Sequence, residues 1–254
     1  MKKMVPIGFL IAALICIKKD MYAQGSFFAG VKGGISIPNL KASGNNPVSS
    51  GWSSRLGGYF GFIGQYEVNE RLSIQAEINY SAQGGKKDGL QAIPSAPYAP
   101  YFPPGFPVPE YLYSRFKSEA RLSYLEIPVM AKLTFPLGES FSFFINAGPY
   151  FGFLMSAENV TTGTENIYLD KLLTQPLLPS SISFNNTQDI KSDLKSLNMG
   201  IQAGAGVYFV LPSEDRIMFS GGGNYGLIPI QKNKLNGENK TGAATLTIAY
   251  MMKL

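Results

Sequence analysis

The stretch LSIQAEINYSAQ, residues 72–83, decides the fold class of this chain. Apolar and polar residues alternate at every position, which is the period of a β-strand with two unlike faces. The apolar face begins with Leu72, Ile74 and Ala76, and the polar face includes Gln75 and Glu77. Strands of soluble sandwiches usually have about five or six residues, whereas this one is long enough to cross a bilayer at a tilt. The stretch therefore predicts a transmembrane strand.

The same alternation recurs along the chain. With 28 Gly, 17 Pro and 13% aromatic residues, the composition favours strands and turns over helices. We predict eight strands, at residues 27–38, 55–68, 71–83, 117–135, 140–155, 196–211, 216–228 and 242–254. Short turns alternate with four long loops, at residues 41–54, 85–116, 156–195 and 229–241. One short amphipathic helix is expected inside the third loop, at residues 165–173.

The placement of the long loops indicates a membrane barrel. A barrel in an outer membrane keeps its short turns and both termini in the periplasm and its long loops outside. Its strands must close on themselves, because the bilayer holds no water to satisfy a free edge. We therefore predict an all-β fold: an eight-stranded antiparallel up-and-down transmembrane β-barrel with short periplasmic turns and long extracellular loops, located in the bacterial outer membrane and contacting its lipid. The alternative is a soluble barrel with a ligand cavity, but here the polar faces, rich in Glu, Gln, Asn and Lys, are the inward ones.

The first residues read as a secretory signal. Lys2 and Lys3 form a basic start, an apolar core follows at residues 5–17, and the segment ends near Gln24. We predict a signal peptide at residues 1–24 and a barrel domain at residues 25–254. Removing the signal lowers Lys+Arg from 22 to 18 and Asp+Glu from 17 to 16, so the net charge falls from +5 to +2. This weak charge gives no reason to expect a nucleic-acid partner.

Several short motifs resemble the PorT-like outer-membrane β-barrel family, a group of porin-like outer membrane β-barrel domains. The matching segments are GVKGG at 30–34, EINYSAQGG at 77–85, YLEIP at 124–128, NAGPYFG at 146–152, GAGV at 204–207 and NYGL at 224–227. The resemblance covers nearly the whole mature chain. It implies an eight-stranded barrel, and it implies an association with protein secretion, because the named member of the family has that association.

Little chemistry is available to an enzyme in this sequence. The chain has no histidine, and its one cysteine, Cys16, lies in the predicted signal. Serine hydrolases, acyl transferases and the common zinc or transition-metal sites depend on those residue types. Glu77 and Glu126 both point inward by their phase and could act as a pair. The alternative is a buried polar network that fills the barrel, because buried charges need partners. Its members would be Gln75, Glu77, Glu126, Lys132, Asn146 and Gln202.

The second long loop has an unusual composition. Seven prolines fall between residues 94 and 109, interleaved with Tyr98, Tyr101, Phe102 and Phe106. Because proline cannot donate to a strand ladder, we expect an extended, polyproline-like loop. Such a backbone presents aromatic side chains at low entropic cost, so these four residues are the predicted partner-binding loop. A mobile cap over the barrel mouth is the alternative.

These observations favour a non-enzymatic barrel without cofactor or metal. We expect it to act as a scaffold for contacts with other envelope or secretion proteins. A narrow pore for small solutes or ions is the first alternative, although eight strands enclose a space that side chains can fill. The soluble ligand-binding barrel is the second.

Overall fold

Eight long antiparallel strands form a closed ring in the computed structural model, which describes residues 25–254. The predicted signal at residues 1–24 lies outside the described residues. The ring strands are β1 (Phe27–Ala42), β2 (Gly57–Glu67), β3 (Leu72–Pro94), β4 (Tyr111–Pro136), β5 (Phe141–Thr162), β9 (Leu197–Val210), β10 (Arg216–Gly226) and β11 (Asn239–Lys253). Three short strands, β6 (Thr164–Glu165), β7 (Ile182–Ser183) and β8 (Asn186–Asp189), lie between β5 and β9.

Each ring strand pairs with the next ring strand along the chain, and β11 pairs with β1 to close the barrel. The closing ladder runs from Phe28 opposite Lys253 to Ala42 opposite Asn239. The predicted eight-stranded up-and-down barrel is therefore confirmed. No helix within residues 25–254 is long and apolar enough to cross a membrane. We call the end with the tight β2–β3, β4–β5 and β9–β10 connections the short-turn end, and the other the long-loop end.

The outward face carries a continuous apolar belt. Large apolar side chains are exposed there on every ring strand, for example Phe62 (66%), Ile78 (42%) and Leu246 (56%). At the long-loop end the belt stops abruptly: on β3 the outward residue Tyr80 is followed by exposed Lys86, and on β4 Leu125 gives way to exposed Arg121. A belt of this kind bordered by charges matches the hydrocarbon core of a bilayer and its interface.

β3 and β4 are longer than the alternation predicts. The predicted loop at residues 85–116 is wrong in extent, because β3 continues to Pro94 and β4 begins at Tyr111. Gly84 and Gly89, which have φ of +113° and +104°, read as turn residues in the sequence, yet both are paired in the ladder. Above the belt the outward face of β3 and β4 is mainly charged. The apolar–polar alternation of the sequence therefore ends there, although β3 and β4 remain paired.

The predicted helix at residues 165–173 is wrong. Tyr168 instead forms an isolated bridge with Tyr113 of β4, and the two residues exchange backbone hydrogen bonds of 2.8 Å in both directions. Ile167 beside it is fully buried. The backbone N–H and C=O groups of Tyr168 are therefore bonded to β4 and are not available for helical hydrogen bonds.

The predicted extended backbone of the Pro-rich loop is also wrong over part of its length. Residues Ala96–Tyr101 form a 3₁₀ helix that begins with Pro97 in its first turn. The φ that proline fixes, near −65°, suits both a 3₁₀ helix and polyproline II. The two conformations differ in ψ, which proline composition does not determine.

Candidate functional site

A buried ion pair lies at the centre of the barrel. Lys32 of β1 and Glu77 of β3 meet at 2.5 Å, and their side chains are only 7% and 2% exposed. The Glu77 carboxylate also accepts hydrogen bonds from the amides of Gln75 (2.5 Å) and Asn79 (2.7 Å). Asn79 in turn donates to the Tyr59 hydroxyl at 2.9 Å. Every oxygen of this carboxylate is therefore engaged, which a buried charge requires.

A second polar group surrounds Glu126, nearer the long-loop end. Its carboxylate accepts hydrogen bonds from the amides of Gln83 (3.1 Å) and Asn224 (2.9 and 3.2 Å). Asn224 comes from β10, on a distant part of the ring. The pairing of β3 with β4 places Asn79 directly opposite Glu126, so the two polar groups adjoin.

A third group holds two cations near the short-turn end. Lys132 Nζ lies 4.0 Å from the centre of the Phe144 ring and donates to the Gln65 amide oxygen at 2.9 Å. Arg216 packs over the Phe28 ring at 3.7 Å and forms an ion pair of 2.6 Å with Glu67. Aromatic faces attract cations because of their ring quadrupole, so these rings stabilise charge as well as filling space.

Apolar clusters close the barrel on both sides of these groups. The cluster at the short-turn end consists of Phe28, Ile63, Phe144, Tyr208, Met218, Ala249 and Met251. The cluster at the long-loop end consists of Leu40, Ala120, Leu122, Tyr124, Leu154, Ala157, Leu194 and Ile230. A cavity of about 30 Å³ remains between them, beside the Lys32–Glu77 pair. A cavity of that size holds no more than a few water molecules, so the centre of the barrel is packed.

The structure divides the predicted network among three groups. Gln75 and Glu77 are hydrogen-bonded to each other, and Asn146 and Gln202 line the same small cavity. Glu126 and Lys132 belong instead to the second and third groups. Sequence reasoning missed several partners that share the inward phase of their strands: Lys32, Gln65, Asn79, Gln83 and Asn224. Strand phase alone could have found them.

The geometry offers little for catalysis. The carboxylates of Glu77 and Glu126 are held by amides, and Glu77 is also paired with Lys32. Within residues 25–254, no group of three or more His, Cys, Asp or Glu side chains is placed to hold a metal ion. The side chains of the three polar groups are thus hydrogen-bonded to or packed against one another.

The second candidate region is the outer hairpin, which we define as residues 84–94 of β3, residues 111–122 of β4 and the tip at residues 95–110. Its outward face is charged, with Asp88 and Lys117 paired across the ladder at 3.4 Å. Nearer to the apolar belt, the Glu119 carboxylate contacts both Arg121 (2.9 Å) and Arg55 (2.8 Å). The hydrogen bond from Arg121, followed by that from Arg55, lowers the Glu119 pKa to about 2. This surface is therefore hydrophilic above the apolar belt.

The tip carries the four predicted aromatic residues in two pairs. Phe102 and Phe106 stack with ring centres 5.7 Å apart, and Tyr98 and Tyr101 are tilted at 6.4 Å. Tyr101 is 60% exposed and Phe106 is 42% exposed. The backbone below them is closed by Ser95, whose amide donates to the Glu110 carbonyl at 3.3 Å. The structure therefore brings these residues together as an aromatic surface at the tip of the outer hairpin.

Comparison with known proteins places the barrel among outer-membrane proteins. A family model described as "Outer membrane protein beta-barrel domain" matches residues 22–232. No curated protein matches the chain. Similar solved structures include neisserial surface protein A (12% identity, 91% of this chain and 99% of that chain, TM-score 0.41). OprG from Pseudomonas aeruginosa (9%, 92% and 100%, 0.38) and the outer membrane protease OmpT from Escherichia coli (10%, 94% and 99%, 0.35) are also similar. At these identities the likeness concerns the fold, and no activity is transferred from it.

Proposed function

Because this chain belongs to the family of the outer membrane protein β-barrel domain, we propose that it is a closed, non-enzymatic barrel whose outer hairpin binds other proteins. Its location is the bacterial outer membrane, where the apolar belt contacts lipid. That location rules out the soluble-barrel alternative. The short-turn end then faces the periplasm and the long-loop end faces outside. The partners we propose are envelope or secretion proteins, in line with the PorT-like resemblance of the sequence.

The observation that carries this proposal is the length and surface of the outer hairpin. From Tyr80, at the edge of the apolar belt, β3 continues to Pro94, which at about 3.3 Å per residue is roughly 45 Å of strand. The strand pairs with β4 along this whole extension, so the tip is held away from the membrane. Exposed, preorganised aromatic residues are the side chains that dominate protein interfaces.

The interior supports the same proposal. A pore needs a continuous aqueous path, whereas apolar clusters lie at both ends of this barrel, and Tyr59 and Tyr150, which belong to neither cluster, are fully buried. Serine hydrolases and acyl transferases typically use a histidine, and residues 25–254 contain neither histidine nor cysteine. Function is therefore expected at the surface of the protein.

We expect a photocrosslinking amino acid at position 106 to capture envelope or secretion proteins in intact cells. The matched control is the same amino acid at Leu137, which is 63% exposed in the turn between β4 and β5 at the opposite end. Replacing Tyr101 and Phe106 by serine, with the crosslinker moved to Phe102, should reduce capture at least tenfold. Mass spectrometry of the attached proteins is the measurement.

A deletion provides a second test of the same surface. Removing residues 96–109 leaves the Ser95–Glu110 contact in place and spares Tyr111, the first residue of β4. The shortened protein should still insert and show the heat-dependent gel mobility of a folded barrel, but it should lose the captured proteins. Undiminished capture by the shortened barrel, read from a crosslinker at Tyr113, would rule out the tip as the binding surface.

We also expect the purified barrel to insert into planar bilayers without stepwise ion conductance. The packed core leaves a cavity of only about 30 Å³ near the centre. Insertion is checked independently by recovering folded protein from vesicles made of the same lipid. Reproducible conductance steps that scale with the amount of inserted protein would favour the pore and contradict the closed barrel.

A further inference from the structure

A cavity of about 280 Å³ lies at the long-loop end, above the apolar cluster that closes the barrel. Its floor includes Ala120 and Leu122 of β4, and its walls come from β1, β3, β5, β11 and three of the outer loops. Leu40, Phe116, Ile190, Leu194 and Ile230 give it a largely apolar lining. A concave apolar site with a few polar groups is the usual form of a small-molecule site.

One cation enters this cavity, and no carboxylate does. Lys87 of β3 lies on its wall, with Nζ 4.6 Å from the centre of the Trp52 ring and 2.6 Å from the Val48 carbonyl oxygen. Asp and Glu are absent from all the side chains that line the cavity, and Lys87 is the only titratable one among them. The neighbouring Lys86 and Asp88 are on the opposite, outward face of the strand. The positive charge of Lys87 therefore has no counter-ion inside the cavity.

A second donor lies next to Lys87, in the indole ring of Trp52. The indole Nε1 of Trp52 is buried without a hydrogen-bond partner within the described part of the chain. Buried donors are normally satisfied, and an unsatisfied one costs free energy. The cavity thus combines an apolar lining with one ammonium group, which lies beside the indole ring and can donate to the acceptor of a ligand.

We propose that this cavity binds a small amphipathic anion, a molecule with one apolar chain and a single carboxylate. The carboxylate would accept from Lys87 Nζ, and the chain would lie against Leu40, Leu122 and Leu194. A medium-chain fatty acid is the simplest molecule of this class. The site is separate from the aromatic tip of the outer hairpin, so it does not depend on the protein contacts proposed there.

Trp52 makes the proposal directly testable, because it is the only tryptophan in the chain. The full-length mature protein is placed in phospholipid nanodiscs and titrated with 11-bromoundecanoate, whose bromine quenches indole fluorescence on contact. We expect saturable quenching that decanoate reverses by competition. Quenching that rises linearly without saturation would contradict a defined site. Strong quenching by brominated bilayer phospholipid before any acid is added would assign the cavity to a membrane lipid and overturn the proposal of a free ligand.

Two adjacent lysines supply matched variants. Lys87→Gln should weaken binding of 11-bromoundecanoate at least tenfold and leave 11-bromoundecanol, which has no charge, within twofold of the original protein. Lys86→Gln changes the charge of the protein equally but lies outside the cavity, so both ligands should bind it as before. Ala120→Phe fills the floor and should abolish binding of both. If Ala120→Phe does not fold, the proposal is tested by the two lysine variants alone. Equal losses of 11-bromoundecanoate affinity in Lys87→Gln and Lys86→Gln would overturn it.

The proposed ion pair also predicts a pH dependence. Burial lowers the pKa of Lys87 to about 8, so the ammonium form that the carboxylate needs is lost as the pH rises through that value. The acid remains ionised throughout this range. Affinity for 11-bromoundecanoate should therefore fall about tenfold between pH 7 and pH 9, while 11-bromoundecanol binding stays constant. An acid affinity that is independent of pH would exclude Lys87 as the anion ligand.

Discussion

Replacing Lys32 by methionine should destabilise the barrel by about 3–5 kcal/mol, because it leaves the Glu77 carboxylate buried without its cation. The side chains of Lys32 and Glu77 are 7% and 2% exposed, so bulk water does not reach the carboxylate. The remaining donors, Gln75 and Asn79, are neutral amides. Urea-induced unfolding in phospholipid vesicles, followed by far-UV circular dichroism, measures the change.

Two further variants separate the ion pair from general damage. Lys32→Met combined with Glu77→Leu removes both charges, and we expect it to recover at least half of the lost stability, because the cost arises from leaving one charge alone. Lys41→Met, at an exposed position near the outer end of the same strand, should change stability by less than about 0.5 kcal/mol. A loss of stability in the double variant equal to the sum of the losses in Lys32→Met and in Glu77→Leu, each measured alone, would show that the pair is not coupled.

Replacing Gly34 by alanine should cost about 3 kcal/mol or more, or prevent barrel closure. A Cβ at this position would overlap the carbonyl oxygen of Leu246 and lie 2.8 Å from the Cα of Thr247. Both atoms belong to the β11 backbone, across the seam where the first and last strands meet. Backbone atoms cannot turn aside as a flexible side chain can, so the two strands would have to separate. The yield of heat-modifiable, folded protein after refolding is the measurement.

The adjacent glycine is the matched control. A Cβ at Gly33 would have nothing within 4 Å, because Gly33 lies between Val31 and Ile35 on the outward face of β1. Gly33→Ala should therefore refold in the same yield as the original chain. Equal loss in both variants would point to a general need for backbone freedom in β1, and no loss in Gly34→Ala would show that the seam tolerates separation.

The two predictions bear on the same physical property. In a bilayer the ring must close completely, because free edge groups cannot be satisfied by lipid. The Lys32–Glu77 pair links β1 to β3 through the interior, while Gly34 lets β1 approach β11 at the seam. Both variants should therefore weaken the barrel that supports the outer hairpin, without touching the aromatic tip or the Lys87 cavity.

The sequence by itself determined the fold class and the direction in which side chains point. Alternation is a local property, since successive side chains of any strand fall on opposite faces. It therefore identified the barrel, the eight strands and the inward phase of Glu77 and Glu126 without knowledge of any pairing. The placement of Tyr98, Tyr101, Phe102 and Phe106 in one loop also followed from composition, although their ring pairs and the backbone conformation did not.

Only the tertiary structure decided what depends on contacts between distant segments. Pairing with β4, not composition, continues β3 to Pro94, and pairing with Tyr113 replaces the expected helix around Tyr168. Glu126 binds Asn224, which is 98 residues away, because the ring brings β4 and β10 to the same interior. Lys87 faces an apolar cavity for the same reason: several loops converge there in space. Strand phase gives each side chain a face, but cross-strand hydrogen bonding and ring closure determine which residues meet on that face.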